Sequence, residues 1–401
     1  MYDSPTLPGA DAGAGPDIEV VFNWGLGLDS TACLTRLLEG PDSVRIDPAR
    51  MAVIHMSTGS EWPDTLADAE HHVLPLLRQH GVRLVQLARA GQSDTAGIHV
   101  LDDSRSPQRL HARGAWTLWD ELEINGTVPQ QAGKRLCSIR AKGNVGDRWI
   151  IRTLAGRAFT QIIGFNADEP GRAARDGMAS RIPGRTGRFP LLEWGWGRQR
   201  CEAFLLDRFG VRWKKSYCWF CCYPVSMGAM EAHLERMRRF PDLAGRVLRL
   251  EYTAMALNPR ARLFGTRSLL DQFAPDEPAS RPVLDAFENE LNCPWGVFHV
   301  RRILPVSAAG TRAPALRSVR GLGLGSRART GARLEQFSAR HHLPVETDPY
   351  GSVRGWLRTR GEGFPAVEEF TVTAPAYVRD KQQDRFETEW ARHTSPQPRL
   401  V

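Results

Sequence analysis

The chain has 401 residues, 42% of them hydrophobic and 24% charged, which permits one large or two medium domains. No apolar run approaches the length of a bilayer span, and the first residues lack the basic-then-apolar order of a secretory signal, so a cytoplasmic protein is expected. Seven cysteines, an odd number in so long a chain, do not indicate a secreted disulfide framework, and the net charge of +8 suits an anionic substrate or nucleic acid as well as it suits an arginine-rich genome.

Residues 1–17, rich in Gly, Pro, Ala and Asp, are expected to form a disordered leader. The β-branched and aromatic run Ile18–Trp24 predicts a first strand. It meets Gly25 and Gly27; Asp29, Ser30 and Thr31 follow, and a helix begins over Thr31–Leu38. A strand that hands glycines to a helix N-terminus makes an anion site, because backbone N–H groups can approach a phosphate and the helix dipole favours its charge. The order is not a dinucleotide fingerprint, since Ser30 stands where the third glycine belongs, and it lacks the Gly-Lys-Ser/Thr of a Walker loop. A ligand-free glycine turn is the plainer alternative.

Met51–Met56 predicts a second strand. Apolar spacing at Leu66, Val73, Leu74 and Leu77 predicts a helix over Leu66–His80, and Val82–Leu87 a third strand. Gly91–Pro129 reads as loop-rich with some helix, Gln161–Phe165 as a later strand, and Gly171–Gly187 as an arginine-glycine loop. Ser226–Leu257 reads as helix interrupted at Pro241. Alternating strands and helices imply an α/β fold, a parallel sheet with helices on both faces that binds ligands at the carboxyl ends of its strands. Arg301, Arg302, Arg312, Arg317, Arg320, Arg327, Arg329, Arg333 and Arg340 make a basic C-terminal extension, either a polymer-binding surface or a solvated face, with a flexible-looking Gly321–Gly325 inside it.

Three further segments carry chemistry. Thr58, Gly59 and Glu61 follow the second strand, where glycine and hydroxyls can meet a purine and ribose or simply cap a helix. Asp168, Glu169 and Arg172 follow a later strand: the acids can hold Mg²⁺ or orient a substrate and the arginine can pair with a phosphate, or Asp168 caps a helix. Cys218 and Cys221 form a C-x-x-C knuckle which, with two distant cysteines, can supply a tetrathiolate for Zn²⁺ or an iron–sulfur cluster; buried thiols or a redox dithiol are the alternatives.

Gly25–Ser30 resembles the S-G-G-x-D-S loop of the PP-loop ATP pyrophosphatase superfamily, in its phosphoadenosine-phosphosulfate reductase-like branch, with Gly25 for the first serine and Leu26 for the first glycine. Ser57–Thr65 is similar to D-T-G-x-E-x-P-x-T, with Ser57 for the aspartate, and Ile163–Arg172 to I-G-x-x-x-D-E-x-x-R. Arg135–Lys142 resembles R-x-C-T-x-x-x-K, Pro190–Cys201 a P-L…R-x-x-C run, and Lys215–Cys221 a K-S-x-C-x-x-C ending. The resemblance covers Ile18 to Glu251 and implies an adenine nucleotide alpha-hydrolase-like domain, with the cysteine segment, over 18–257, leaving 258–401 as a basic region of unknown role. It implies an enzyme that uses ATP and Mg²⁺ to adenylate an acceptor for sulfur transfer, with a 4Fe–4S cluster or Zn²⁺ on Cys137, Cys201, Cys218 and Cys221, the four cysteines at motif positions. Gly25, Gly27, Ser30 and Thr31 would hold the pyrophosphate, and Asp29 would orient Mg²⁺ or the loop. Thr58, Gly59 and Glu61 would flank the adenosine, and Arg135, Lys142 and Arg172 would neutralise developing charge. Nucleic acid (DNA or tRNA) and a sulfur-donor protein are the partners such relatives suggest, with no membrane. The alternative is a non-catalytic nucleic-acid-binding protein with a structural metal site and a vestigial nucleotide fold.

Overall fold

The computed structural model describes residues 18–394 except Ser43, 130–134, 180–181, 225–227, 308–309 and Arg312. The expected leader, and Arg312 of the basic stretch, lie outside the described residues. Two compact units divide the chain: Met1–Leu118 with Arg135–Cys218, and Trp119–Lys134 with Trp219–Val401.

The first unit opens with β1 (Val20–Asn23), α1 (Leu28–Glu39), β2 (Met51–Met56), α2 (Pro63–Gln79) and β3 (Arg83–Arg89), so the strand and helix order expected from the sequence holds. Gly91–Pro129, expected to be loop-rich with some helix, supplies the helix α3 (Leu118–Asn125), nearly all of which belongs to the second unit, and also a strand, β4 (Ile98–Ser104). β4 runs antiparallel to β3, with Arg83 and Asp103 paired side by side at 2.7 Å. The first unit resumes with the short α4 (Leu136–Ser138), a π-helical turn over Ile139–Gly143, α5 (Asn144–Leu154) and β5 (Phe159–Ile163). The arginine-glycine stretch expected as a loop is α6 (Pro170–Ala179) followed by the strand β6 (Arg185–Arg188). Pro170 supplies a pre-set first helical position, and Ala173 turns inward, so the segment has a helix start and a buried anchor despite its charge. α7 (Pro190–Glu193) and α8 (Arg198–Phe209) complete the unit.

Its sheet has the order β4-β3-β2-β1-β5-β6, parallel throughout except at β4. Alternation along β1 sends Phe22 to one face and Val21 to the other. Phe22 joins Leu34, Leu37, Leu74, Leu77, Cys201 and Leu205 beneath α1, α2 and α8. Val21 joins Ile54, Val85, Trp149 and Ile150 beneath α5. Helices therefore cover both faces. From β1 the chain steps outward to β2, β3 and β4, then crosses to β5 and β6 on the other side. The order reverses between β1 and β5, the place where open α/β sheets leave a crevice at the strand ends.

The second unit holds α3, α9 (Met230–Arg239), α10 (Pro241–Leu257), α11 (Arg281–Glu290), β7 (Trp295–Leu304), β8 (Leu316–Gly325), α12 (Arg327–Arg340), β9 (Val345–Thr347), β10 (Val353–Arg358), β11 (Ala366–Pro375), β12 (Lys381–Gln382) and α13 (Phe386–Thr394). Helix is interrupted at Pro241, as its sequence predicts, and α9 and α10, expected within the domain 18–257, belong to this second unit. The region beyond is not an extension but a second sheet, antiparallel, in the order β12-β8-β7-β11-β10-β9. The expected flexible Gly321–Gly325 is part of β8. Trp295 stands opposite Gly325 and Phe298 opposite Gly321, and such aromatic partners supply the cover that the glycines lack. Among the described residues no helix is long and apolar enough to cross a membrane.

Candidate functional site

The loop after β1 emerges at the reversal of strand order. Gly27 caps α1 with an extended backbone, and the first intrahelical bond runs from the Thr31 N–H to the Gly27 carbonyl at 2.9 Å. The N–H groups ahead of Thr31 are those that an α-helix cannot satisfy internally. A Cβ on Gly25 would have no heavy atom within 4 Å, and one on Gly27 would meet only the Ser216 Cβ, at 3.8 Å. The space beside both glycines is thus open. Ser216 donates to the Gly25 carbonyl at 3.0 Å, and Ser30 turns back to the Gly27 carbonyl at 3.1 Å. Gly164, just past β5, lets α1 approach: a Cβ there would stand 2.7 Å from the Ser30 Cα. Thr31 does not face the loop. It is fully buried and accepts the Trp24 indole N–H at 3.1 Å.

Asp29, in the first turn of α1, has a buried Oδ1 without a hydrogen-bond partner among the described residues. Burial raises its pKa; a hydrogen bond from Asn166 and the charges of Arg198 and Arg172 oppose the rise. The carboxylate is therefore strained by desolvation and has cations close by. Arg172 is bound to Glu169 at 2.8 Å and lies over the Phe165 ring at 4.5 Å. Asp168 accepts the Arg198 backbone N–H at 2.8 Å, so it caps α8. The capping alternative raised for Asp168 is realised, on a helix thirty positions further along rather than on the next one.

On the other side of β1, the turn after β2 is organised by Glu61. Its Oε1 accepts the Thr58 N–H at 2.9 Å and the Thr58 hydroxyl at 2.8 Å, and its Oε2 accepts the Ser60 N–H at 3.0 Å. Gly59 takes φ +73° with Thr117 packed where a Cβ would be, so this glycine answers to the turn itself. Burial works to raise the Glu61 pKa, but His55, Lys142 and the Thr58 bonds outweigh it and hold the carboxyl below its usual range. His55, buried in β2, donates from Nδ1 to the Trp24 carbonyl at 3.1 Å, which leaves Nε2 as an acceptor with no partner among the described residues. Burial lowers its pKa, with Glu61 opposing. Lys142 projects from the π-helical turn, a distortion often found at functional sites. Arg135 is exposed just ahead of α4.

The cysteines divide. Cys201 lies on the inward face of α8 in the core with Cys33, and burial pushes its thiol up to about 12, with Asp29 and Asp168 adding to the rise. Cys218 stands beside the β2 turn, its Sγ 3.4 Å from the Thr58 hydroxyl. Cys137 is half-buried in α4, and Cys221 belongs to the second unit. Among the described residues no three His, Cys, Asp or Glu side chains are grouped so as to hold a metal ion. Cys201 thus lies in the core of the first unit, and Cys218 at the β2 turn.

Asn166 falls between the matched positions of its motif, and Arg198 is the matched arginine of the P-L…R-x-x-C run, but the motifs assign neither a role. His55 had a signal, a polar residue in the apolar run MAVIHM. No protein-family model matches the chain, and neither a curated protein nor a solved structure is significantly similar to it. The class that can be stated is an α/β protein with a mostly parallel six-stranded sheet flanked by helices and a second, antiparallel sheet.

Proposed function

We propose that the first unit binds an adenine nucleotide at the β1–α1 loop, and that the protein is an ATP pyrophosphatase of the phosphoadenosine-phosphosulfate reductase-like kind, adenylating an acceptor for sulfur transfer. The observation that carries this reading is the open space beside Gly25 and Gly27, at the foot of α1 and at the reversal of strand order.

On this reading the N–H groups at the start of α1 and the Ser30 hydroxyl hold the β- and γ-phosphates. Asp29, with an oxygen still unpartnered, meets Mg²⁺, which takes few protein ligands when phosphates and water supply the rest. Arg172 and Arg198 face charge that grows as the α–β phosphoanhydride bond breaks, and Lys142 stands on the side of Thr58 and Glu61, where the nucleoside would lie. An acceptor oxygen attacks the α-phosphorus, pyrophosphate leaves, and a sulfur nucleophile then displaces AMP from the adenylated acceptor. Thr31 and Asp168 are assigned no contact with the nucleotide on this reading, since each already takes a hydrogen bond from the fold.

The test is calorimetry of the full chain with ATP and Mg²⁺, followed by pyrophosphate release in the presence of candidate acceptors. Absence of any binding heat sinks the nucleotide reading. Binding without pyrophosphate under every acceptor leaves the vestigial fold, which the engagement of Thr31 and Asp168 in purely structural bonds favours.

A further inference from the structure

Helix α12 in the second unit carries a charge pattern that its fold does not require. Its buried residues are Thr330, Gly331, Leu334 and Ser338. At 3.6 residues per turn, Arg329, Arg333 and Arg340 fall within about 40° of one another, away from that buried face, spread along about 16 Å of the axis, with Arg329 and Arg333 flanking Gly325 and Gly323 of β8. All three are exposed, and no hydrogen bond or ion pair among the described residues engages any of their guanidinium groups. Glu335, the acid of this helix, lies about a third of a turn away from the stripe. Arg327 and Arg329 also occupy the first turn, which contains no acid. Cations there oppose the helix dipole, so this placement costs stability rather than adding it.

We propose that this arginine stripe is a docking surface for duplex DNA, engaged through its phosphodiester backbone. Guanidinium forks pair with phosphate oxygens two bonds at a time, and a duplex presents one charge per about 1.7 Å of axis, so each arginine along 16 Å finds a phosphate without strain. A membrane surface fits less well. An interfacial helix must expose an apolar face, and the apolar side of α12 is turned to the sheet. A single strand fits less well too. Its binding relies on several open aromatic platforms, and α12 exposes one ring, Phe337, tilted against His341 at 4.5 Å. The surface needs no nucleotide, so it stands or falls apart from the ATP reading.

The experiment is fluorescence anisotropy of the full chain with a labelled duplex of about two turns, over a salt series and without ATP. A single-stranded oligonucleotide of the same sequence and phosphatidylserine vesicles serve as the other arms. The wild type should bind the duplex. The triple variant Arg329→Gln, Arg333→Gln, Arg340→Gln should bind it at least tenfold more weakly, and its slope of log affinity against log salt should shrink by about 2.7, three contacts at about 0.9 each. The corresponding triple lysine variant should retain most of the binding. Should the triple glutamine variant not fold, Arg329→Gln alone should still reduce the slope by about 0.9. Unchanged affinity and slope in the glutamine variants overturns the proposal, as does a wild type that ignores the duplex at low salt or prefers the single strand or the vesicles.

Discussion

Leu26 holds a left-handed backbone (φ 57°) while its carbonyl accepts the Trp213 indole N–H at 3.0 Å. The residue stands where the resembled loop has glycine, and it keeps the conformation that glycine would adopt. The reason is visible in the packing: the Leu26 side chain is fully buried in the core shared by α1 and α8. Left-handed backbone costs a residue with a Cβ about 1–2 kcal/mol, and burial of the isobutyl group offsets it.

A first prediction follows from that balance. Leu26→Gly relieves the backbone but removes a buried side chain whose loss costs about 2–5 kcal/mol. The net effect should be destabilisation of about 1–3 kcal/mol, read as a lower midpoint in urea unfolding. The loop should keep its course, so whatever affinity the wild type has for ATP should survive in calorimetry. Loss of that affinity together with unchanged stability would contradict this account.

Asp29 gives a second prediction, in which stability and function part. Burial raises its pKa in the folded protein, so folding favours its protonated form. Its contribution is greatest at low pH and is lost as pH rises through the folded pKa. At neutral pH the ionised group is a desolvated charge, and Asp29→Asn should raise the melting temperature. The same variant should lose pyrophosphate release by a hundredfold or more, since it removes the carboxylate assigned to Mg²⁺. A variant both less stable and fully active would reverse both assignments.

Two buried groups of the second unit should pull the pH–stability curve in opposite directions. His233 is held neutral, its pKa lowered to about 3 by burial and by Arg236, while the unfolded chain takes up a proton near 6.5. Its contribution is complete above 6.5 and falls as pH drops toward 3, by about 1.4 kcal/mol per unit at the steepest. Glu251 behaves inversely. Burial lifts it to about 7 against the N–H bonds from Leu263, Leu269 and Leu270, so its contribution is complete below 4.5 and is lost as pH rises to 7. Between 4.5 and 6.5 the two slopes oppose each other. Urea midpoints across that window should rise more steeply with pH for Glu251→Gln than for the wild type, and His233→Phe should tilt the curve the other way. Parallel curves for all three proteins would show that neither group titrates differently on folding.

Much of the first unit was legible because its signals are local. Apolar runs of strand length, a glycine turn and helical spacing recur within short windows, and the strands and first helices fall where Ile18–Trp24, Met51–Met56 and Leu66–His80 place them. What was not legible depends on partners distant in sequence. β8 looks flexible until Trp295 and Phe298 are set opposite its glycines. α6 looks like loop because its charge hides one buried alanine. Thr31 and Asp168 match a motif, but whether a hydroxyl or a carboxylate is free depends on Trp24 in one case and on the start of α8 in the other. Cysteine spacing gave four positions without saying which thiol faces a core.

Cys201 supplies the last prediction. Its thiol is buried, pushed up to about 12, and shares the core with Cys33, whose thiol burial also raises. Disulfide exchange requires both access and thiolate, and each is denied here. With the native protein, both thiols should stay unmodified by an aromatic disulfide reagent and should react once urea unfolds the chain; peptide mapping of the modified sites reads this directly. Cys201→Ala should leave any copurifying zinc or iron unchanged, at a modest loss of stability from the vacated volume. Rapid labelling of Cys201 in the folded chain, or a metal content that drops with its removal, would move this thiol from the core into a ligand set and restore the tetrathiolate reading.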